Sequence, residues 1–436
     1  DQLCGELGSS IEQVEHALEH RGATPTLAST SIEWEQSIVE GHATHPMHKA
    51  RFALPPLEAI PAGADLSAPD IRFVCLPRSD VVLRGDYEHY IESLLPEETC
   101  AAITDTARYV AVPAHPRQLP SIVTRFPQAK LLPGTLPARA QASLRTVVPV
   151  AHSHWAIKLC LGVKTTSALR TITPWTTHMG PGMLSLLDKL VADNADVLRV
   201  AKEVASAVIA HPDPDVAKHL SCIIREEAVQ KTGAHELAVV CAALVERNAH
   251  GVPFVVDALQ LDTEARRVAF FARYAALYLK SFLTPAYKYG FAFEAHGQNT
   301  LARFDRRTGE LLGFVVRDFG GVKGHQPTLK RTLNEELDVL PESCCIAHTL
   351  DEVHDLIYHT AIQCHLQSLI RALDLHYNGT GWQMVRDELC RVVPADSALY
   401  RFFTKPRVEL KCFVKMKMQG LYRDYVYLCV PNVLLY

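Results

Sequence analysis

Thr146-Val147-Val148-Pro149 and Trp155-Ala156-Ile157-Lys158-Leu159-Cys160-Leu161-Gly162-Val163 are two apolar runs separated by Ala151-His152-Ser153-His154. The second run alternates about Lys158, so the pair reads as a β-hairpin in which Lys158 faces away from Ile157, Leu159 and Leu161. Upstream, Ile71-Arg72-Phe73-Val74-Cys75-Leu76 and Tyr109-Val110-Ala111-Val112 are short apolar runs set off by proline and read as strands. Between residues 53 and 70 lie four prolines, including Pro55-Pro56, so that stretch reads as an irregular connection. Downstream the period changes. Leu184, Leu187, Leu190, Val191, Val197, Leu198, Ala201 and Val204 recur at helical spacing, a second helical region covers Thr263 to Leu283, and a third runs from Leu350 to Leu375. Early strands, one strong hairpin and clustered later helices predict an α+β architecture rather than a βαβ alternation.

The chain has 436 residues, 48% of them apolar and 21% charged, enough for two or three parts with substantial cores. Its formal net charge is -4, from 44 Lys and Arg against 48 Asp and Glu. That balance argues against a phosphate-tracking surface, and nucleic acid is not an expected partner. No run of about 18 apolar residues occurs, so no membrane span is expected. The 12 cysteines are dispersed without a Cys-x-x-Cys pair, which argues against structural zinc and reads as reduced residues of a cytoplasmic protein.

Two groups of residues could do chemistry. Beyond Gly162, Thr165 or Thr166 could cap a helix, and the four-residue step would then place Thr166 and Arg170 on one face near Lys158. A hydroxyl, a guanidinium and helix N–H groups in that arrangement form a trap for phosphate or carboxylate. An ordinary capped helix with a solvated arginine accounts for the same residues. The second group is Glu294-Ala295-His296-Gly297-Gln298-Asn299, followed by apolar runs on either side of Thr308-Gly309 and ending at Arg317-Asp318. It reads as a hairpin in which Asn299 pairs across from Asp318, with Glu294, His296 and Gln298 alternating onto one side. Hard oxygen ligands in that number suit Mg²⁺ that takes its remaining ligands from water and nucleotide phosphates. His296 could donate to developing negative charge on a substrate. The histidines of His45-Pro46-Met47-His48 do not form a zinc helix because Pro46 disrupts it; with Lys49 and Arg51 they suit a cationic wall or a solvated basic loop.

In order along the chain, these stretches resemble the NRPS-independent siderophore synthetases of the IucA/IucC family. The matching motifs are Gly-His-x-x-His-Pro-x-x-Lys-x-Arg at Gly41 to Arg51 and a His-Pro-x-Gln segment at His115 to Gln118. Ser-x-Arg-Thr follows at Ser143 to Thr146, then Lys158 with Thr166-Ser167 and Arg170. Glu294 to Asn299, Arg317-Asp318-Phe319-Gly320-Gly321 and a lysine before an apolar run, Lys411, complete the set. Arg117 stands where the family usually has Trp. The resemblance implies a three-part cupped-hand fold, with a thumb-like region at 1–120, a fingers-like nucleotide region at 121–285 and a palm-like region at 286–436, usually as a homodimer. It implies that His45, Ser143, Arg145, Lys158, Thr166, Arg170 and Gln298 bind ATP and the acyl phosphate. Glu294, Asn299 and Asp318 would hold Mg²⁺, and Arg170, His296 and Lys411 would grip the carboxylate substrate. The implied reaction adenylates citrate or a related polycarboxylate, releases pyrophosphate, and passes the acyl group to an amine or amino alcohol with release of AMP. A competing reading takes Ala156-Ile157-Lys158 and Asp318-Phe319-Gly320 as the lysine and Mg²⁺ motifs of a kinase-like small-molecule phosphotransferase that makes ADP. No Gly-rich loop precedes Lys158 and no His-Arg-Asp loop occurs.

Overall fold

The computed structural model describes residues 2–41, 45, 47–166, 168–421 and 426–436. His42, Ala43, Thr44 and Pro46 of the first basic motif, and Ser167 of the Thr-Ser motif, lie outside the described residues. The architecture is α+β, built on two main sheets. The expected hairpin forms: Thr146–Pro149 and Trp155–Leu159 pair antiparallel, with Thr146 opposite Lys158 and Val147 opposite Ile157.

Among the described residues that hairpin sits inside a nine-stranded sheet. Its order runs Val81–Gly85, Glu203–Ile209, Ser221–Glu226, Trp155–Leu159, Thr146–Pro149, Leu136–Ala140, Asp70–Pro77 and Tyr109–Ala114, with Lys130–Leu131 also paired to Asp70–Pro77. The strands expected at 71–76 and 109–112 are both present and adjacent. Alternation sorts this sheet's two faces. Val147, Ile157, Leu159, Cys222 and Ile224 enter one apolar core, while Thr146, Lys158, Arg225 and Glu203 share the opposite face, since Thr146 pairs with Lys158 and Glu203 with Arg225. Leu161 lies past the strand end in a separate small cluster.

The second sheet has four strands, ordered Leu198–Val200, Leu311–Val316, Thr300–Asp305 and Glu236–Val240. Its central hairpin is the one expected around Thr308-Gly309. The register is one residue from the expected pairing: Thr300 faces Val316, and the Arg317 N–H donates to the Asn299 carbonyl at 3.0 Å. An irregularity between Arg303 and Phe304 shifts the register along the hairpin. The helix expected at 263–283 runs from Glu264 to Tyr289. The Thr263 hydroxyl caps it by accepting from the Arg266 N–H, and Gly290, at φ +64°, ends it. The third helical region is also present, as Leu350–Ile357, a π-helical segment Tyr358–Leu366, and Gln367–Ala372.

Two expectations are corrected. Helical spacing between 183 and 211 holds only for Leu184–Val191; Leu198–Val200 and Glu203–Ile209 are strands. Every residue of Glu203–Ile209 is buried, so the strand shows no polar alternation to reveal its period. The helix expected after Thr165 is instead a tight hairpin: Val163–Thr165 pairs with Ala168–Leu169, and Thr166 turns the chain at φ +57°. The β-branched Val163, Thr165 and Thr166 favour the extended form over a first helical turn. Both boundaries of the expected partition can be located on these elements. Residue 120 falls between strands of the nine-stranded sheet, and residue 285 lies inside Glu264–Tyr289.

Candidate active site

The polar face of the large sheet turns toward the open end of the late hairpin. There Lys158, 3% exposed, reaches Asp318 Oδ1 at 2.8 Å and Glu203 Oε1 at 3.8 Å. This ion pair joins two segments 160 residues apart and closes the wall of a cavity of about 510 Å³. Ser143, Arg145, Lys158, Thr166, Arg170, Glu294, His296, Gln298, Asn299, Asp318 and Lys411 all line it. His45 does not. It is buried, its Nδ1 accepts from the Met47 N–H at 3.1 Å, and its ring packs 5.0 Å from Phe413, which does line the cavity. Arg117 is also absent from the lining; it donates to the Glu58 carbonyl.

Although the helix is replaced by a hairpin, the expected pairing survives: Arg170 Nη2 donates to Thr166 Oγ1 at 3.1 Å. Arg145 Nη1 donates to the Thr171 carbonyl at 2.7 Å, so the Ser143–Arg145 segment and the Arg170 hairpin are fastened together. Lys49, from the basic motif, lies in the same wall, and burial, then Arg51, lowers its ammonium to about 8.

The hairpin mouth brings two carboxylates together. Burial raises Glu294, and Asp318 adds to the rise. Asp318 is partly buried, which raises its carboxyl, yet Lys158 holds it well below the carboxylate range. Asn299 Nδ2 donates to Glu294 Oε2 at 3.4 Å. Gly321 packs so tightly that a Cβ there would fall 2.3 Å from Glu294 Oε2, so only glycine leaves this carboxylate its place. Two crowded, partly buried carboxylates with an amide beside them fit a divalent cation that neutralises them. Among the described residues no group of three or more His, Cys, Asp or Glu side chains could hold a metal. A cation here would therefore rely on Glu294, Asp318, Asn299 and the nucleotide's own oxygens.

Burial keeps His296 neutral, near about 4, against the pull of Asp318. Its Nδ1 accepts from the Gln298 N–H at 3.2 Å, which places the ring proton on Nε2 as a donor.

Several residues beneath the cavity were not singled out from sequence. Glu35, at 2% exposure, bonds Arg317 Nη2 at 2.6 Å and accepts from the Ala142 N–H at 3.0 Å. Arg317 in turn donates twice to the Gln298 carbonyl, at 3.2 and 3.0 Å. One carboxylate thus ties the Ser143–Arg145 segment to the mouth of the late hairpin. It is held there by the helix Ser31–Gln36, whose start is fixed by a capping box between Thr30 and Glu33. Arg225, Gln141 and Glu227 form a second chain, with Arg225 Nη2 donating to Gln141 Oε1 and Gln141 Nε2 to Glu227 Oε2, each at 2.7 Å. The capping box was a readable signal; the partners of Glu35 were not.

Buried histidines have a consequence for stability. His115, 1% exposed, is held near about 4 by burial, against about 6.5 when unfolded. Between those values the unfolded chain binds the extra proton, so the stability that depends on neutral His115 is lost as pH falls through that window. Buried carboxylates such as Glu227 are raised and act in the opposite direction, so the comparison must be with a variant. Relative to the parent, His115→Gln is expected to gain about 1.4 kcal/mol per pH unit on acidification from about pH 6.5, read from denaturant unfolding. A pH-independent difference would contradict the buried neutral imidazole.

The model of the IucA/IucC family matches residues 30–246, and that of the ferric iron reductase FhuF-like transporter family matches residues 268–422. The NRPS-independent siderophore synthetase rfs of Rhizopus delemar is 45% identical over 100% of this chain and 71% of that protein. D-ornithine–citrate ligase of Staphylococcus aureus is 23% identical, covering 92% of this chain and 69% of that enzyme. The structure of ATP-bound aerobactin synthetase IucA from Klebsiella pneumoniae shares the fold, with a TM-score of 0.81 at 18% identity over 99% of this chain and 82% of the other. The kinase-like reading is overturned: the relatives are synthetases and ligases, and Lys158 leads into a hairpin rather than a glutamate-bearing helix.

Proposed function

Since the chain belongs to the IucA/IucC family of NRPS-independent siderophore synthetases and is a ligase that joins acyl groups to amines or alcohols, we propose that it adenylates a carboxylate of citrate, or of a related polycarboxylate, and transfers it to an amine or amino alcohol. The observation that carries this reading is the Lys158–Asp318 pair at 2.8 Å, which sets the cationic sheet face and the acidic hairpin mouth in one cavity.

A carboxylate and a triphosphate repel, and neither can approach the other until both charges are met by fixed cations. Arg145, Lys158 and Arg170 supply those charges from segments locked by hydrogen bonds, so little reorganisation accompanies the reaction. Glu294, Asn299 and Asp318 would hold Mg²⁺, which when bound neutralises phosphate oxygens and polarises the leaving group. His296 Nε2–H donates to the carboxylate without adding charge, and Lys411 meets a further carboxylate of the same substrate. A carboxylate oxygen then attacks the α-phosphorus, and pyrophosphate leaves. In the second step the acceptor nitrogen or oxygen forms a bond to the acyl carbon as the bond to the AMP phosphate breaks.

The relative named D-ornithine–citrate ligase supports citrate and an amine as the substrate pair. No helix among the described residues is long and apolar enough to cross a membrane. A cytoplasmic homodimer, with a thumb-like region at 1–120, a fingers-like region at 121–285 and a palm-like region at 286–436, belongs to the same proposal. The reading is tested with a panel of carboxylic acids assayed for ATP-dependent pyrophosphate release. Release with citrate above its monocarboxylate analogues supports it, and release independent of any added acid contradicts it.

A further inference from the structure

The cavity has a wall that the adenylation step does not use. Leu350–Ala372 would be a continuous α-helix but for Tyr358–Leu366, which winds as a π-helix. Such segments cluster at functional sites, and their wider turn stacks residues five apart. Here that spacing puts His359 beside Cys364, with His359 Nε2 and Cys364 Sγ 3.6 Å apart, and carries Thr360 and His365 to the same side. All four line the cavity, together with Leu356, Leu369 and Phe413. The π winding is fixed from behind: His365 stacks on Tyr278 at 4.3 Å and shares a 2.6 Å hydrogen bond with the Tyr274 hydroxyl.

Charge neighbours divide the cavity into two ends. Asp318 and Glu203 keep company with Lys158, Arg145 and Arg225. Lys411 instead has Glu294, Cys364 and Asp355 around it. Glu294 and His296 stand between, Glu294 feeling both Lys158 and Lys411, and His296 feeling Asp318 while His365 feels His296. Lys158 of the sheet thus pairs with Asp318 at 2.8 Å, while Cys364 of the π wall neighbours Lys411, and Glu294 interacts with both lysines. Burial keeps Cys364 a thiol, pushed up to about 12, and His365 neutral, down to about 3, so neither group brings a charge to the wall.

We propose that this π-helical wall is the acceptor subsite: it takes the amine-bearing substrate, with the aliphatic chain on Leu356, Leu369 and Phe413 and the reacting nitrogen among His359, Thr360 and Cys364. The inference rests on the acyl-adenylate reading above. A neutral thiol and a neutral imidazole beside Leu356, Leu369 and Phe413 suit an amine that has left its extra proton in water, and only that form has a lone pair to use. The lone pair forms the C–N bond while the C–O bond to AMP breaks, and the remaining surplus proton returns to solvent.

Leu356 is half-buried, so a larger side chain can be placed there without opening the core. For Leu356→Trp the exchange of labelled pyrophosphate into ATP, which needs citrate but no amine, is expected to stay within about two-fold of the parent. The KM for a diamine or amino-acid amine is expected to rise about ten-fold or more. Cys364→Phe, on the same wall, is expected to behave alike, and retained exchange in either variant certifies the fold. Exchange and amide formation lost together in both variants would place the wall at the nucleotide end and overturn the assignment. An unaltered amine KM in both would overturn it as well. Absence of citrate-dependent exchange in the parent would instead sink the adenylation reading, and this inference with it.

Discussion

Replacing Arg170 with alanine is expected to reduce carboxylate-dependent hydroxamate formation in hydroxylamine, a trap for acyl-adenylates, by about a hundred-fold or more. Arg170 follows the Val163–Leu169 hairpin, and its Nη2 donates to Thr166 Oγ1. The charge is fixed in a cavity walled by Glu294, His296 and Asp318, where a guanidinium acts on the forming acyl phosphate far more strongly than in water. Arg170 is only partly buried and packs no core cluster, so the variant is expected to keep the parent's melting temperature. Unchanged turnover would remove Arg170 from the site. Lysine is expected to rescue poorly, because it cannot reproduce the planar fork.

Asp318→Asn is expected to raise the Mg²⁺ concentration needed for half-maximal activity about ten-fold or more, and to weaken Mg²⁺-dependent nucleotide binding measured without turnover. The change removes a carboxylate from the hairpin mouth and also takes from Lys158 its 2.8 Å partner, leaving Glu203 at 3.8 Å. Loss of a buried partner carries a stability cost, so melting temperature and metal dependence should be read together. A variant with the parent's metal requirement would discredit Glu294, Asn299 and Asp318 as the cation's place.

How far these residues could be read from the sequence depended on what held them. The two hairpins were legible because their strands alternate or end in turn residues: Lys158 stands out among Ile157 and Leu159, and Thr308-Gly309 marks a reversal. At its open end the late hairpin lies one residue from the expected register, and the irregularity near Phe304, which leaves no trace in apolar patterning, shifts it further toward the turn. Glu203–Ile209 was misread because a strand buried on both faces loses its period. Thr166 and Arg170 were brought together in either reading, since a tight hairpin also joins residues four apart, but only the structure shows the turn at φ +57°.

The bridging layer was illegible for another reason. Glu35 contacts Arg317 from 282 residues away along the chain, and Arg225 meets Gln141 across 84. No local spacing encodes such contacts; they follow from strand order. His45 is reached through the resemblance alone, and its ring packs 5.0 Å from that of Phe413, a contact no local spacing announces.

The central claim is that the cationic face bearing Lys158 and the acidic mouth bearing Asp318 serve one nucleotide during adenylation. It is tested most directly by incubating the protein with ATP, Mg²⁺, citrate and labelled pyrophosphate, without any amine. The account predicts citrate-dependent appearance of label in ATP. Formation of ADP and phosphate, with no label exchanged, would contradict it.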